Sequence, residues 1–342
     1  MRASATVPRV QVIIPNWNGR HLLPRCLDAL SRQTFDDFTI TVVDNGSTDG
    51  SVTWLREHAP SVRVIANTAN RGFAAAVNQG IRTGEGEYVA TLNNDAEPEP
   101  SWLEALVAAA ESDDRVGMCA SKMLFADRPH LINSAGICLD WAGIAWDCRG
   151  GELDQPSEER LTEIFGPCAG AALYRRKMLD EVGLFDEDFF AYLEDVDLAW
   201  RARLAGWIAL YVPTARVYHA HSATLGEHSP LKSFLLARNK IWLIAKNYPM
   251  PWLAFYFPLI LCYDWASVLY ALVARRDFQA LRGRWAGFLG LPNALAKRRQ
   301  IQALRRVGAR EWREIIHPIV PPWEVLARYK HLEARRFSSG AI

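Results

Sequence analysis

The side chains able to do chemistry here are acids standing directly behind short apolar runs. Tyr88-Val89-Ala90-Thr91-Leu92 is β-rich and leads straight into Asn93-Asn94-Asp95, with Pro98 and Pro100 close behind. Residues 38–43 form a second such run, followed by Asp44-Asn45-Gly46-Ser47. An acid at a strand end opens onto the edge where α/β sheets bind ligands. Such carboxylates suit a hard divalent cation shared with substrate phosphates, or recognition of a base N–H. Asx-turn chemistry explains an acid in either place without any ligand.

A third acidic group, Glu194-Asp195-Val196-Asp197, lies among Phe189, Phe190, Tyr192 and Trp200. Acids in the first turn of a helix, here one running to Leu204 and stopped by Gly206, favour its macrodipole, and Asp197 with Arg201 is an i,i+4 pair. The aromatic surroundings also desolvate a carboxyl and raise its pKa toward the range of a general base. His219 and His221 are two apart on an expected strand and point the same way, so either could join Asp95 at a metal.

Placing these groups takes an alternation of strands and helices. Strands are expected at 10–15, 38–43, 62–65, 88–92 and 116–120, with helices between them at about 22–30, 51–54, 73–81 and 102–110. That alternation predicts an α/β fold, a Rossmann-like, mostly parallel sheet with helices on both faces. Neither G-x-G-x-x-G behind a strand nor G-x-x-x-x-G-K-[ST] occurs, so a nucleotide would bind without a glycine cradle. Residues 125–165 read as an antiparallel insertion. Small residues at 167–174 permit close backbone approach. Further strands are expected at 208–212 and 216–218.

Beyond about residue 230 the character changes, and the chain divides at 1–230 and 231–342. An amphipathic helix over 231–247 carries Lys232, Arg238, Lys240 and Lys246. Residues 251–274 are almost wholly apolar and long enough to span a bilayer. A central Asp264 costs about 2.5–3.5 kcal/mol on insertion scales and favours a re-entrant or interfacial segment. A buried helical hairpin is the alternative. Arg275-Arg276, Lys297-Arg298-Arg299 and Arg305-Arg306 follow.

Residues 1–230 hold 20 Lys+Arg and 32 Asp+Glu, net −12, and residues 231–342 hold 19 and 6, net +13. The contrast suggests a cation in front and an anionic surface behind. The apolar block beside the basic clusters favours membrane phosphates over nucleic acid. The six cysteines form no C-x-x-C and no zinc-type spacing, so a reduced cytosolic chain is expected. Residues 1–9 lack the apolar run of a secretory leader.

Pro15-Asn16-Trp17-Asn18-Gly19, Val43-Asp44-Asn45-Gly46-Ser47-Thr48-Asp49-Gly50, Asn70-Arg71-Gly72-Phe73, Leu92-Asn93-Asn94-Asp95 and Tyr192-Leu193-Glu194-Asp195-Val196-Asp197-Leu198 occur in that order. Together they resemble the inverting family-2 glycosyltransferases of the GT-A fold, most closely the rhamnosyltransferase-like branch, over about residues 8–250. The resemblance implies that Asp95, at the D-x-D-like position with Asn94 before it, holds Mg²⁺ or Mn²⁺ on the donor diphosphate. It implies that Asp44 bonds the donor's base, with Pro15, Asn16, Asn18, Asn45, Asn94 and Arg71 lining the nucleotide pocket. Asp195 then matches the catalytic base, and His219 the late metal-binding histidine, with His221 as the fallback. The implied reaction moves L-rhamnose from dTDP-L-rhamnose to a lipid-linked glycan, at the cytoplasmic face of the inner membrane, in cell-envelope polysaccharide synthesis. Rival readings are another donor such as a UDP-sugar, a non-catalytic membrane scaffold, and a sugar-phosphate nucleotidyltransferase. The last should carry a Gly- and Arg-rich loop behind its first strand, and Asn16-Trp17-Asn18-Gly19 is not one.

Overall fold

The apolar runs that read as strands do form a sheet covered on both faces. The computed structural model describes residues 7–155, 160–220, 229–321 and 324. In its first half strands and helices alternate: β1 (Val10–Asn16), α1 (Leu23–Ser31), β2 (Phe38–Asp44), α2 (Ser51–His58), β3 (Arg63–Ala66), α3 (Phe73–Ile81) and β4 (Tyr88–Leu92). β1 pairs in parallel with β2 and β4, and β2 with β3. Parallel pairs need crossover helices on the faces, which is why β1 and β4 read as apolar runs buried almost throughout.

Next come β5 (Ala96–Pro98), α4 (Trp102–Glu111), β6 (Val116–Phe125), β7 (Arg128–Ser134), β8 (Ile137–Leu139), β9 (Ala145–Asp147) and β10 (Thr162–Ile164). β11 (Ala171–Arg175), α5 (Arg176–Val182), α6 (Glu194–Leu204) and β12 (Ile208–His219) complete the sheet layer. The main strand order is β10-β12-β6-β11-β4-β1-β2-β3. The sheet is more mixed than expected, because β11 inserts antiparallel between β4 and β6. Its small residues, Ala171 and Ala172, are what permit that tight insertion.

Two further differences from the sequence reading are local. The strands expected at 208–212 and 216–218 are one strand, β12, bulged around Pro213, a residue that cannot donate to the ladder. The expectation of free thiols throughout is corrected at Cys138 and Cys148. The β8–β9 hairpin brings their Cα atoms to 5.3 Å, within bridging range, and they form a disulfide.

The rear half is helical: α7 (Pro230–Asn247), α8 (Met250–Ala274), α9 (Gln279–Leu289), α10 (Leu291–Ala303) and α11 (Ala309–Ile315). α8 is one continuous helix, Pro258 included, and by length and composition it could cross a membrane. It runs back along α7. Ser233, near the start of α7, donates to Asp277 just past the end of α8, and Lys240 reaches Asp264 at 3.5 Å from mid-α7. Arg284 of α9 meets the same carboxylate, so the one acid in the apolar helix is neutralised by two inward cations.

Much of the front-to-rear charge contrast closes inside the molecule. Lys246, 2% exposed, pairs with Asp186 and, at 2.8 Å, with Asp197. Lys297 reaches Asp186 and Asp188, both at 2.6 Å, and Arg306 reaches Glu181 at 2.7 Å. Arg298 donates to the carbonyls of Ala245 and Tyr248. The expectation that these cations face an anionic surface is corrected for Lys246, Lys297 and Arg298. Arg275, Arg276, Arg299 and Arg306 remain exposed, the last while paired with Glu181.

Candidate active site

Asp95 follows β4, and the chain turns at once into β5, which pairs antiparallel with the end of β12. That pairing sets His219 opposite Ala96 and brings its Nε2 to 3.0 Å from Asp95 Oδ1. His219 Nδ1 lies 2.8 Å from Asn133 Oδ1 on β7. An amide oxygen only accepts, so Nδ1 carries a proton, and Nε2 lies between the Asp95 oxygen and the Asn93 amide, 3.2 Å away. An imidazole nitrogen beside a carboxylate is a donor set that Mg²⁺ or Mn²⁺ accepts. Among the described residues no third His, Cys, Asp or Glu completes a cluster, which leaves positions for phosphate oxygens and water. His221 lies outside the described residues.

The ends of β1, β2 and β4 are tied together by amides. Asn94 Nδ2 donates to Asn16 Oδ1 at 2.7 Å, and Asn16 Nδ2 donates to Asp44 Oδ2 at 2.8 Å. Asp44 Oδ1 also accepts from the Ser47 N–H, and the side chain is buried. A carboxylate has about four acceptor positions, so Asp44 keeps capacity for a further donor. A Cβ on Gly19 would fall 2.1 Å from Asn94 Nδ2, so the loop can close over that amide only because position 19 is glycine. Pro15 lies on β1, and Asn18 sits in the left-handed region and accepts from the Thr48 N–H. Asn45 is spent on the protein. It holds Asn70 and Gly72 through Nδ2, and the Asn67 side chain and the Arg71 N–H through Oδ1. Its work is to shape the loop that carries Arg71, whose side chain is exposed.

Asp195 is half-buried in the first turn of α6. Its Oδ2 accepts from the Ala169 N–H at 3.2 Å and its Oδ1 from the Val196 N–H at 2.8 Å. Burial pushes its pKa up to about 6, against those two backbone bonds, and the charge of Asp147 on β9 adds to the rise. Glu194 is more deeply buried, one carboxylate oxygen lacks a hydrogen-bond partner, and burial raises its pKa well above the usual range. Asp197 behaves oppositely. Burial opposes ionisation, but Lys246 and Arg201 outweigh it and hold the pKa low. It therefore clamps α6 to α7. The small-residue stretch joins the two halves of the site: Gly170 O accepts from the Asn93 N–H at 2.8 Å while Ala169 N–H holds Asp195.

The chain enters α6 through backbone that resists this shape. Phe190, Tyr192 and Leu193 all have φ near +66° or +67°, the left-handed region that non-glycine residues rarely adopt. Asn239 of α7, fully buried, holds them there. Its Nδ2 lies 3.0, 2.9 and 2.7 Å from the carbonyls of Phe189, Ala191 and Tyr192. Gly72 packs so tightly on this loop that a Cβ would lie 2.4 Å from Phe190 O. Asn239→Ala is expected to cost about 2–4 kcal/mol, because it strips a donor from three carbonyls and frees a strained turn. Urea denaturation followed by circular dichroism checks this.

The sequence reading named Asp44, Asp95, Asp195 and His219, and all four stand at strand or helix ends on one edge of the sheet. Asn133 on β7, Asp147 on β9 and Asn239 on α7 were missed, since an isolated amide or acid within an element carries no spacing signal.

Residues 11–183 match the family model for glycosyl transferase family 2. A relative from Mycobacterium tuberculosis, N-acetylglucosaminyl-diphospho-decaprenol L-rhamnosyltransferase, is 32% identical over 267 residues, covering 68% of this chain and 85% of the relative. The O-antigen biosynthesis protein RfbC of Myxococcus xanthus is 29% identical over 227 residues, or 64% of this chain and 18% of that longer protein. Among solved structures, a mannosyltransferase of Pyrobaculum calidifontis in complex with GDP-Man and Mn²⁺ superposes with a TM-score of 0.53 at 20% identity, over 97% of this chain and 84% of that one. GalNAc-T7 with UDP, GalNAc and Mn²⁺ gives 0.56 at 16% identity, over 71% of this chain and 48% of that one. These two likenesses concern the fold.

Proposed function

The chain belongs to glycosyltransferase family 2, and from that membership we propose that it moves L-rhamnose from dTDP-L-rhamnose, with inversion, to a hydroxyl of a lipid-linked glycan in cell-envelope polysaccharide synthesis. The observation that carries the chemistry is the join at Ala169–Gly170, which ties the Asp95 strand end to the Asp195 carboxylate. Support for the sugar and the acceptor comes from the M. tuberculosis relative, whose name specifies both.

Asp195 accepts the proton of the acceptor hydroxyl as that oxygen attacks C1 of the donor sugar. The diphosphate leaves from the opposite face, and a single displacement inverts the centre. Mg²⁺ or Mn²⁺ held by Asp95 and His219 supplies charge neutralisation at the departing diphosphate. Asn16, Asp44 and Asn94 form the floor of the nucleotide end. Pro15, Asn18, Asn45 and Arg71 build its rim, with the Arg71 guanidinium turned outward. Asp195 is preferred to Glu194 as the base because backbone N–H groups aim both of its oxygens, whereas one Glu194 oxygen is buried without a partner and burial raises its pKa.

Residues 1–230 then hold the transfer chemistry and 231–342 bring it to the acceptor at the cytoplasmic face of the inner membrane. On α8, Phe257, Leu261, Trp265, Leu269 and Val273 recur every four residues and are all exposed. They make one apolar stripe along the helix, suited to lie in a bilayer interface.

Purified full-length enzyme with Mg²⁺ or Mn²⁺ should turn over dTDP-rhamnose in preference to UDP- and GDP-sugars, and faster with a polyprenyl-diphosphate N-acetylglucosamine acceptor. Preference for a UDP-sugar would discard the donor. Binding of no nucleotide sugar would discard the enzyme reading in favour of a scaffold.

A further inference from the structure

Lys232 stands apart from the other lysines of the rear half. Lys240, Lys246 and Lys297 each reach a carboxylate. Lys232, in the first turn of α7, is half-buried and forms no ion pair among the described residues. Its backbone is fixed, because Ser229 Oγ accepts from the Lys232 N–H at 3.1 Å. Its Nζ lies 5.6 Å from the centre of the Tyr192 ring, three residues ahead of Asp195. Burial holds its pKa below the usual lysine value, and the opposing charge acting on it is Asp147. The same Asp147, on β9, also acts on Asp195.

On its other side Lys232 adjoins the open end of the helical region. The next residue, Ser233, bonds Asp277 at the turn between α8 and α9. There Val273 and Phe278 are 73% and 66% exposed. Outward from Asp195 the order is therefore carboxylate, aromatic ring, unpaired cation, exposed apolar turn. A glycan on a lipid diphosphate, followed outward from its reacting hydroxyl, has the matching order of sugar, diphosphate and hydrocarbon.

We propose that Lys232 binds the diphosphate of the acceptor lipid, with the Tyr192 ring beneath the acceptor sugar and the hydrocarbon leaving past Val273 and Phe278. This rests on the lipid-linked acceptor proposed above. A partly desolvated lysine without a carboxylate gains most from a multiply charged anion, which compensates the burial of its charge. Aromatic faces such as Tyr192 suit the apolar side of a sugar ring, and the exposed turn suits the chain.

The donor also carries a diphosphate, so the test separates the two sources. Farnesyl diphosphate, farnesol and dTDP are each titrated into the full-length protein in detergent micelles, with Mg²⁺, for the wild type, Lys232→Gln and Lys232→Arg. Lys232→Gln is expected to weaken farnesyl diphosphate at least about tenfold, the scale of one charged hydrogen bond. Farnesol and dTDP should be unchanged, and Lys232→Arg should retain most of the binding. Equal affinity of wild type and Lys232→Gln for farnesyl diphosphate would overturn the assignment. So would a parallel loss of dTDP affinity, which would place Lys232 at the donor instead. None of these readouts needs turnover, so failure of the rhamnose reading would show separately, as absent donor turnover with farnesyl diphosphate binding intact.

Discussion

Asp195→Asn is expected to lower kcat for transfer by about 10³-fold, within the range lost when a general base is removed. The donor KM should change little, because in the proposed mechanism Asp195 acts on the acceptor hydroxyl. Asparagine keeps the size of the side chain, and its oxygen can still accept from the Val196 N–H, so the fold should persist. The informative companion is Glu194→Gln. Burial raises the Glu194 pKa and disfavours its charged form, so its amide analogue should stay within a few-fold of wild type. Steady-state kinetics on the two variants decide between neighbouring acids. If Asp195→Asn kept activity within tenfold while Glu194→Gln lost it, the base would be Glu194.

The same carboxyl sets the pH profile. Burial raises the folded pKa of Asp195 to about 6, above its usual carboxylate value. The base is the ionised form, so kcat/KM should rise with pH and level off above about pH 7, with a midpoint near 6. The stability contribution has the opposite sign. A folded pKa above the unfolded one favours the fold below the unfolded value, near pH 4, and that contribution is lost as pH rises through about 6. Activity therefore comes on over the range in which this carboxyl weakens the fold, as expected of a charge held ready for chemistry.

What was legible in the sequence was what periodicity and turn chemistry encode. β1 and β4 could be read because strands buried on both faces are continuous apolar runs, and each ends in or is followed by Asn where a loop opens. Asp44, Asp95 and Asp195 could be read because acids at strand and helix ends have a position as well as a type. The antiparallel β11 was hidden, since Ala171-Ala172-Leu173-Tyr174 shows apolar content but nothing of strand direction. Asn133 and Asn239 were hidden because their roles exist only across 86 residues to His219 and about 50 residues to the loop before Asp195. The opposite charges of the two halves were plain. That Lys246 and Lys297 close on Asp186, Asp188 and Asp197 was not, because charge counts carry no pairing.

Asp95→Ala should remove most of the affinity for Mn²⁺ in the presence of dTDP, by at least about 100-fold, and lower transfer to a similar or greater degree. Asp95 sets a carboxylate oxygen 3.0 Å from His219 Nε2, and no cluster of three such ligands exists among the described residues to take its place. Without it the imidazole and the Asn93 amide remain, and neither supplies the negative charge that draws a cation. His219→Ala leaves the carboxylate in place and should cost less, and Asn133→Ala less again, about tenfold, because it removes only the bond that fixes the ring's tautomer. Calorimetric titration of Mn²⁺ into dTDP-saturated protein ranks the three directly, without reliance on turnover. The expected order follows from charge first, donor atom second and orientation third. Equal losses for all three would mean that they act through the fold of the β5–β12 junction, and wild-type affinity in Asp95→Ala would move the cation away from this strand end.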